Sequence, residues 1–211
     1  MKIGIIGSGI VAQTLAAGLV AHGHQVMLGT RDPAKLAAFV AQHPGIQVDG
    51  VAQAAAFAEL GILAVKGTGA LEAARAAAAG FAGKTVIDTT NPIKEEAPVD
   101  GVLGFFTGPN DSLMEQLQRE FKAIRFVKAF NSVGSASMID PKFAGGPPTM
   151  FIAGDDAQAR AQVAQLLAEV GWDVEDLGKA VAARAIEPLA ILWCIPGFLR
   201  NDWVHAYKML R

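Results

Sequence analysis

The sequence predicts an α/β fold with a doubly wound, mostly parallel sheet of about eight strands and a C-terminal helical tail. Three observations carry this. The chain opens on an apolar run, Ile3 to Ile6, that meets Gly7-Ser8-Gly9 and passes directly into a helical pattern from Ile10 to His22. This is the strand, glycine turn and helix of a dinucleotide-binding unit, hence a Rossmann-type fold. Short apolar runs and helical patterns then alternate up to about residue 178, as they do when parallel strands are joined by crossover helices. Hydrophobic residues make up 52% of the 211, aromatics 7%, and glycine occurs 23 times, a composition that suits close packing of helices on a sheet.

In the opening unit Gly7 permits the tight turn and Gly9 lets a pyrophosphate approach the backbone. Ala12 takes the third small position, where helix packs on strand. The free N–H groups at the helix start then face the phosphates. Gln25 to Leu28 reads as the second strand, ending at Gly29-Thr30-Arg31-Asp32-Pro33, with Asp32 as cap and Pro33 opening a helix to about Gln42. An NAD enzyme places a carboxylate at this strand end for the ribose 2′-hydroxyl, about 20 residues beyond the glycines. Thr30 and Arg31 stand there instead, with Lys35 one turn on. A hydroxyl and a guanidinium bind a 2′-phosphate by charge-assisted hydrogen bonds, so the pattern favours NADP over NAD.

A short strand near Ile46 to Val48, a helix from Val51 to Ala58 and a strand from Leu60 to Val65 follow, the last ending at Lys66-Gly67-Thr68-Gly69. An alanine-rich helix, Leu71 to Ala79, leads to a strand from Lys84 to Asp88 that closes on Thr89-Thr90-Asn91-Pro92. Strand ends on this side line the ligand crevice, which puts Val65, Lys66, Gly67 and Asn91 on the cofactor's path. For Lys66 an exposed-loop role, and for Asn91 a turn-forming role, stand as equal alternatives. Ile93 to Pro109 is a long connection with Phe105-Phe106, and loops of this length are often functional.

Asp111 or Ser112 caps a helix to Phe121, and Ile124 to Phe130 is a strand ending in Asn131-Ser132. With Pro92, these two are the candidate substrate contacts; capping the next short helix is the alternative for the pair. Thr149 to Ala153 is a strand, Asp155 and Asp156 open a helix to Val170, and Trp172 to Leu177 is the last strand. That Asp pair suits the helix macrodipole better than a metal. Lys179 to Arg211 reads as helical and apolar enough to pack on a second subunit. Residues 1–178 therefore form the nucleotide-binding domain, and 179–211 a C-terminal segment for dimerisation.

Composition excludes several classes. The net charge of −2, without a basic cluster, argues against nucleic acid and anionic membranes. The glycine turn interrupts the N-terminal apolar run, which argues against a signal peptide, and Pro188 to Leu199 reads as too short to span a bilayer. A cytoplasmic location is expected. Cys194, the single cysteine, reads as a core residue, and the four histidines pair with no carboxylate or serine in a catalytic spacing. No catalytic residue and no metal site is expected.

Several stretches together resemble one family: the glycine turn, Leu28 to Pro33, Asp88 to Pro92, Val127-Lys128-Ala129-Phe130-Asn131-Ser132, Ala153 to Asp156 and Ala183 to Leu189. Their order and spacing over nearly the whole chain are similar to the NADPH-dependent coenzyme F420 reductases, the F420H2:NADP oxidoreductases. The resemblance implies an eight-stranded Rossmann-type domain, a homodimer built partly through C-terminal helices, and hydride transfer between NADPH and a deazaflavin such as F420, or a flavin. It implies cofactor contacts at Gly7, Ser8, Gly9, Ile10, Val11, Thr30, Arg31, Lys66 and Asn91. Two departures bear on the second ligand. Asn131-Ser132 stands where archaeal members have a His-Thr turn, and Val181-Ala182-Ala183 replaces a serine-rich entry to the last helix. An imine or carbonyl reductase related to pyrroline-5-carboxylate reductase, and an NADPH-binding redox sensor without turnover, are the alternative readings.

Overall fold

Eight strands form, but as a six-stranded sheet and a separate pair. The computed structural model describes residues 1–211. Its elements run β1 (Lys2–Ile6), α1 (Ile10–Ala21), β2 (Gln25–Gly29), α2 (Ala37–Gln42), β3 (Ile46–Asp49), α3 (Val51–Phe57), β4 (Leu60–Leu63) and α4 (Ala70–Phe81). They continue with β5 (Thr85–Asp88), α5 (Leu113–Glu120), β6 (Arg125–Lys128), β7 (Thr149–Ile152), α6 (Ala157–Glu169), β8 (Asp173–Asp176), α7 (Ala183–Ile186) and α8 (Pro188–Arg200). The main sheet has the order β3-β2-β1-β4-β5-β6, parallel throughout, so the order reverses between β1 and β4. The parallel β7-β8 pair meets β6 only through an antiparallel bridge, Lys128 to Ala153. Two residues past β6, Phe130 has φ 60°, a left-handed conformation that is strained for a bulky residue.

Alternation along β1 explains the two cores. Ile3 and Ile5 pack with Leu15 and Leu19 of α1 and with Val163 and Leu167 of α6. Ile6 faces the other way, into a cluster with Ala54, Ala55 and Ala77 of α3 and α4 and Leu117 of α5. Gly4 shares that second face, where a Cβ would come within 2.2 Å of the Ala54 carbonyl oxygen. The missing side chain thus sets how closely α3 approaches the sheet. Each fully buried Leu or Ile contributes about 1.5–3 kcal/mol, so both faces are firmly held.

Three local expectations change. Asp32 makes no capping hydrogen bond; a short 3-10 turn, Pro33–Leu36, opens the helix, and the Thr30 hydroxyl accepts from the Asp32 N–H at 3.3 Å. The C-terminal segment is helical only to Arg200, where Asn201 (φ 57°) ends α8. Residues 202–211 then run as a strap along β7, with the Thr149 N–H donating to the Tyr207 carbonyl at 2.8 Å. A glycine at 197 admits the Trp203 ring, which a Cβ there would meet at 2.3 Å. Finally, Ala180–Arg200 is a continuous 21-residue helical stretch with mean hydropathy 1.4, by length and composition enough to cross a membrane. That corrects the shorter span read from Pro188. In this fold the stretch docks on the protein through buried Glu187.

Candidate functional site

The carboxyl ends of β1, β2, β4 and β5 open into one cleft of about 1060 Å³. It lies at the point where the strand order reverses, the ordinary ligand position in open α/β sheets. Its floor is the glycine turn. Gly7 has φ 146°, and a Cβ on it would sit 2.1 Å from the Ala64 carbonyl oxygen. The position therefore excludes every other residue on two grounds. Gly9 differs: it precedes α1, no side chain caps that helix end, and no atom lies within 4 Å of where its Cβ would be. The cradle that a side chain would fill is open toward the cleft, with uncapped helix N–H groups facing it. This combination suits a pyrophosphate.

Ser8, Ile10, Val11, Thr30, Arg31, Val65, Lys66, Gly67 and Asn91 join Gly7 and Gly9 in the cleft wall. Thr30 is buried, whereas Arg31 is exposed and faces Glu72 of α4 at 3.6 Å. Lys66 lies on the rim, where its ammonium donates to Glu95 at 3.3 Å. Gly67 also has a packing reason, since a Cβ would strike the Asn91 carbonyl oxygen at 1.9 Å. Lys35 stands outside the wall and pairs with Asp32 at 3.8 Å.

Pro92, Asn131 and Ser132 are buried behind the wall rather than on it. The Asn91 amide donates to the Asn131 carbonyl at 2.7 Å, and the Asn131 amide donates to Asn91 Oδ1 at 3.1 Å and to the Ile186 carbonyl at 3.0 Å. The two asparagines thus lock the ends of β5 and β6 together and fasten them to α7. Asn131 Oδ1 is left buried without a donor.

Beneath them lies a charged cluster that no sequence motif marks. Lys128, with no exposed surface, sits 2.6 Å from Asp88 and 2.8 Å from Glu187, and donates to the Thr90 carbonyl at 2.8 Å. Burial pushes its ammonium pKa down, but the Asp88 and Glu187 carboxylates outweigh that and hold it above the ordinary lysine value. Asp88 also accepts from the Thr90 N–H at 2.9 Å and its hydroxyl at 2.7 Å. Glu187 accepts from the Leu113 and Met114 N–H groups, both at 3.0 Å, and so occupies the start of α5. The cluster shapes the Thr89-Thr90-Asn91 edge of the cleft. The signal was present as Asp88, Lys128 and Glu187 within the family-like stretches, but three distant residues give no period or spacing to read.

Cys194 and the histidines lie away from the cleft. Burial pushes the Cys194 thiol up. His22 contacts Asp140 at 3.0 Å and His24 contacts Glu169 at 3.1 Å. These pairs form at the far end of α1 from the glycine turn and join residues too distant in sequence to suggest them.

Comparison with known proteins agrees with this geometry. Residues 2–92 match the family model described as NADP oxidoreductase, coenzyme F420-dependent. A crystal structure of a candidate F420-dependent NADP reductase from Arthrobacter sp. FB24 is 36% identical, with a TM-score of 0.93, over 100% of both chains. Metalloreductase STEAP3 of Rattus norvegicus is 30% identical over the whole chain, which spans 42% of that protein's length. An imine reductase from Streptomyces aurantiacus shares the fold at 17% identity, with a TM-score of 0.70 over 94% of this chain and 63% of its own. By its whole-length likeness, with residues 2–92 matching the family model, the chain belongs to the coenzyme F420-dependent NADP oxidoreductase family.

Proposed function

We propose that the protein is an NADPH-dependent oxidoreductase that moves a hydride between NADP(H) and a flavin-like or deazaflavin acceptor of the F420 type. The observation that carries this is the joining of the open Gly9 cradle, Thr30 and Arg31 in one cleft of about 1060 Å³. In this reading Gly7, Ser8, Gly9, Ile10 and Val11 hold the pyrophosphate, and Thr30 and Arg31 hold the 2′-phosphate. Val65, Lys66, Gly67 and Asn91 line the path to the reacting ring. The bound nicotinamide supplies the hydride chemistry. The protein's part is to orient two rings and keep water out, which calls for positioning rather than a proton donor. Asn91, fixed by Asn131, and Thr90, fixed by Asp88, form the rigid edge for that purpose. We assign residues 179–211 to a homodimer contact, because Val181, Leu192, Phe198 and Leu199 leave an apolar face exposed.

Titration of the protein with NADPH and NADH tests the cofactor. At least a tenfold preference for NADPH is expected, about 1.4 kcal/mol, and equal affinity overturns the Thr30 and Arg31 assignment. Steady-state oxidation of NADPH with F420, FMN, FAD and a panel of carbonyl and imine compounds then tests the acceptor. One observation favours a second reading, a redox sensor without turnover. Pro92, Asn131 and Ser132, the residues assigned to the second substrate, lie behind the cleft wall. NADPH binding with silence across the whole panel selects the sensor.

A further inference from the structure

Glu72 stands opposite Arg31 across the adenosine end of the cleft. Gly29, Thr30 and Arg31 form one side of that end, and Glu72, Ala73 and Ala76 of α4 form the other. The small side chains leave room for a nucleoside, and one cation and one carboxylate are poised over it. The other acidic residues of the wall, Glu95 and Glu96, belong to the connection after β5 and face Lys66 and Lys94. The Arg31–Glu72 pair is loose: the charges are 3.6 Å apart, beyond hydrogen-bonding length, and the side chains are 87% and 73% exposed. Such a pair contributes little to folding. Its consequences fall on what enters between the two groups.

We infer that Glu72 is a specificity-determining residue that opposes Arg31 and narrows the preference for NADPH over NADH. This rests on the NADP reading above. A 2′-phosphate drawn to Arg31 displaces the carboxylate from its only cation and remains beside it, like charge against like. A 2′-hydroxyl meets the reverse situation. Its O–H can donate to a carboxylate, which is how acidic residues select NAD in dinucleotide folds. In this chain the strand end after β2 carries the cation, and the carboxylate comes from the first turn of α4 instead. The two cofactors thus meet opposing groups at one place.

The test is the substitution Glu72→Gln, which keeps size and hydrogen bonding and removes charge at an exposed position. Kd values for NADPH and NADH are measured for both proteins at low ionic strength by quenching of intrinsic tryptophan fluorescence. NADPH is expected to bind two- to fivefold more tightly to the variant while NADH is unchanged or weaker, with the gain shrinking as salt is added. Unchanged NADPH binding overturns the inference. So does equal tightening of both cofactors, which marks a general charge effect on the diphosphate, and so does weaker binding of both, which marks Glu72 as an adenine contact. A wild-type protein that binds both cofactors alike overturns the NADP reading itself, however the variant compares with it.

Discussion

A lysine without exposed surface, held between two carboxylates, is the residue on which most of the site's geometry depends. Removing Lys128 strands Asp88 and Glu187 in the interior. Breaking a buried ionic cluster on one side costs about 3–5 kcal/mol, so Lys128→Met is expected to lose that much in urea unfolding. The double variant Lys128→Met/Glu187→Gln should lose clearly less than the sum of the single changes, because the second substitution removes one of the stranded charges. Additivity would mean that Lys128 and Glu187 do not interact. The linkage has a definite sign as well. Lys128 is raised above its ordinary value in the fold, so its contribution is complete below about pH 10.4 and fades only as pH rises through the folded pKa. Neutral pH therefore leaves the cluster intact. Arg31 is the contrasting case, exposed and with little to do in folding. Arg31→Ala should weaken NADPH at least tenfold and NADH hardly at all, with unchanged thermal stability; a uniform loss for both cofactors would make it a structural residue.

At the scale of elements, α5 is held at its first turn by its own side chains. Ser112 accepts from the Glu115 N–H at 3.1 Å, and its hydroxyl donates to the Glu115 carboxylate at 2.8 Å, a local capping arrangement legible as Ser-x-x-Glu. Ser112→Ala is expected to cost about 1 kcal/mol in chemical denaturation. The same glutamate accepts from Arg184 of α7 at 2.7 and 2.9 Å, and this bond, opposed by partial burial, holds its carboxyl below the ordinary glutamate value. A depressed folded pKa gives stability that is present above the unfolded value, about 4.3, and is lost as pH falls through the folded one. Acid titration should therefore loosen α7 from α5, and Glu115→Gln should flatten that part of the stability profile. An identical profile in the variant would assign the acid sensitivity to other groups. Helix boundaries with local caps, such as Ser112 and Asp156, could be read directly. The opening of α2 could not, because the Thr30 hydroxyl and not the Asp32 side chain orders that turn.

At the scale of the whole molecule, the exposed apolar side chains of α8 predict association. Leu192, 55% exposed, lies on that face. Leu192→Glu is expected to convert a dimer to a folded monomer in sedimentation equilibrium, and a wild-type protein that is monomeric at every concentration removes the dimer from the proposal. Saturating NADPH should also raise the melting temperature. At 100 times Kd the gain is about 2.7 kcal/mol, which for a chain of this size corresponds to roughly 5–10 °C. The six-plus-two arrangement of strands belongs to this scale too. Runs of apolar residues announced eight strands, but nothing local to β7 indicated that it would pair with β8 apart from the main sheet.

What the sequence determined by itself was everything encoded in neighbours: the strand, glycine turn and helix, the order of strands and helices, and the cationic end of β2. These follow from periodicity, steric limits on backbone angles and residue chemistry at short range. Tertiary structure alone decided which polar residues face the cleft and which hold it together. Asn91 and Asn131 read alike as strand-end amides, yet one reaches the cleft wall and the other is buried against Ile186. Asp88, Lys128 and Glu187 form a cluster because three distant segments meet at the ends of β5 and β6, where low dielectric makes an unpaired charge too costly to bury. Arg31 stood out in the sequence as the cation at the end of β2; the carboxylate of Glu72 across from it became visible only when α4 was folded back over the sheet.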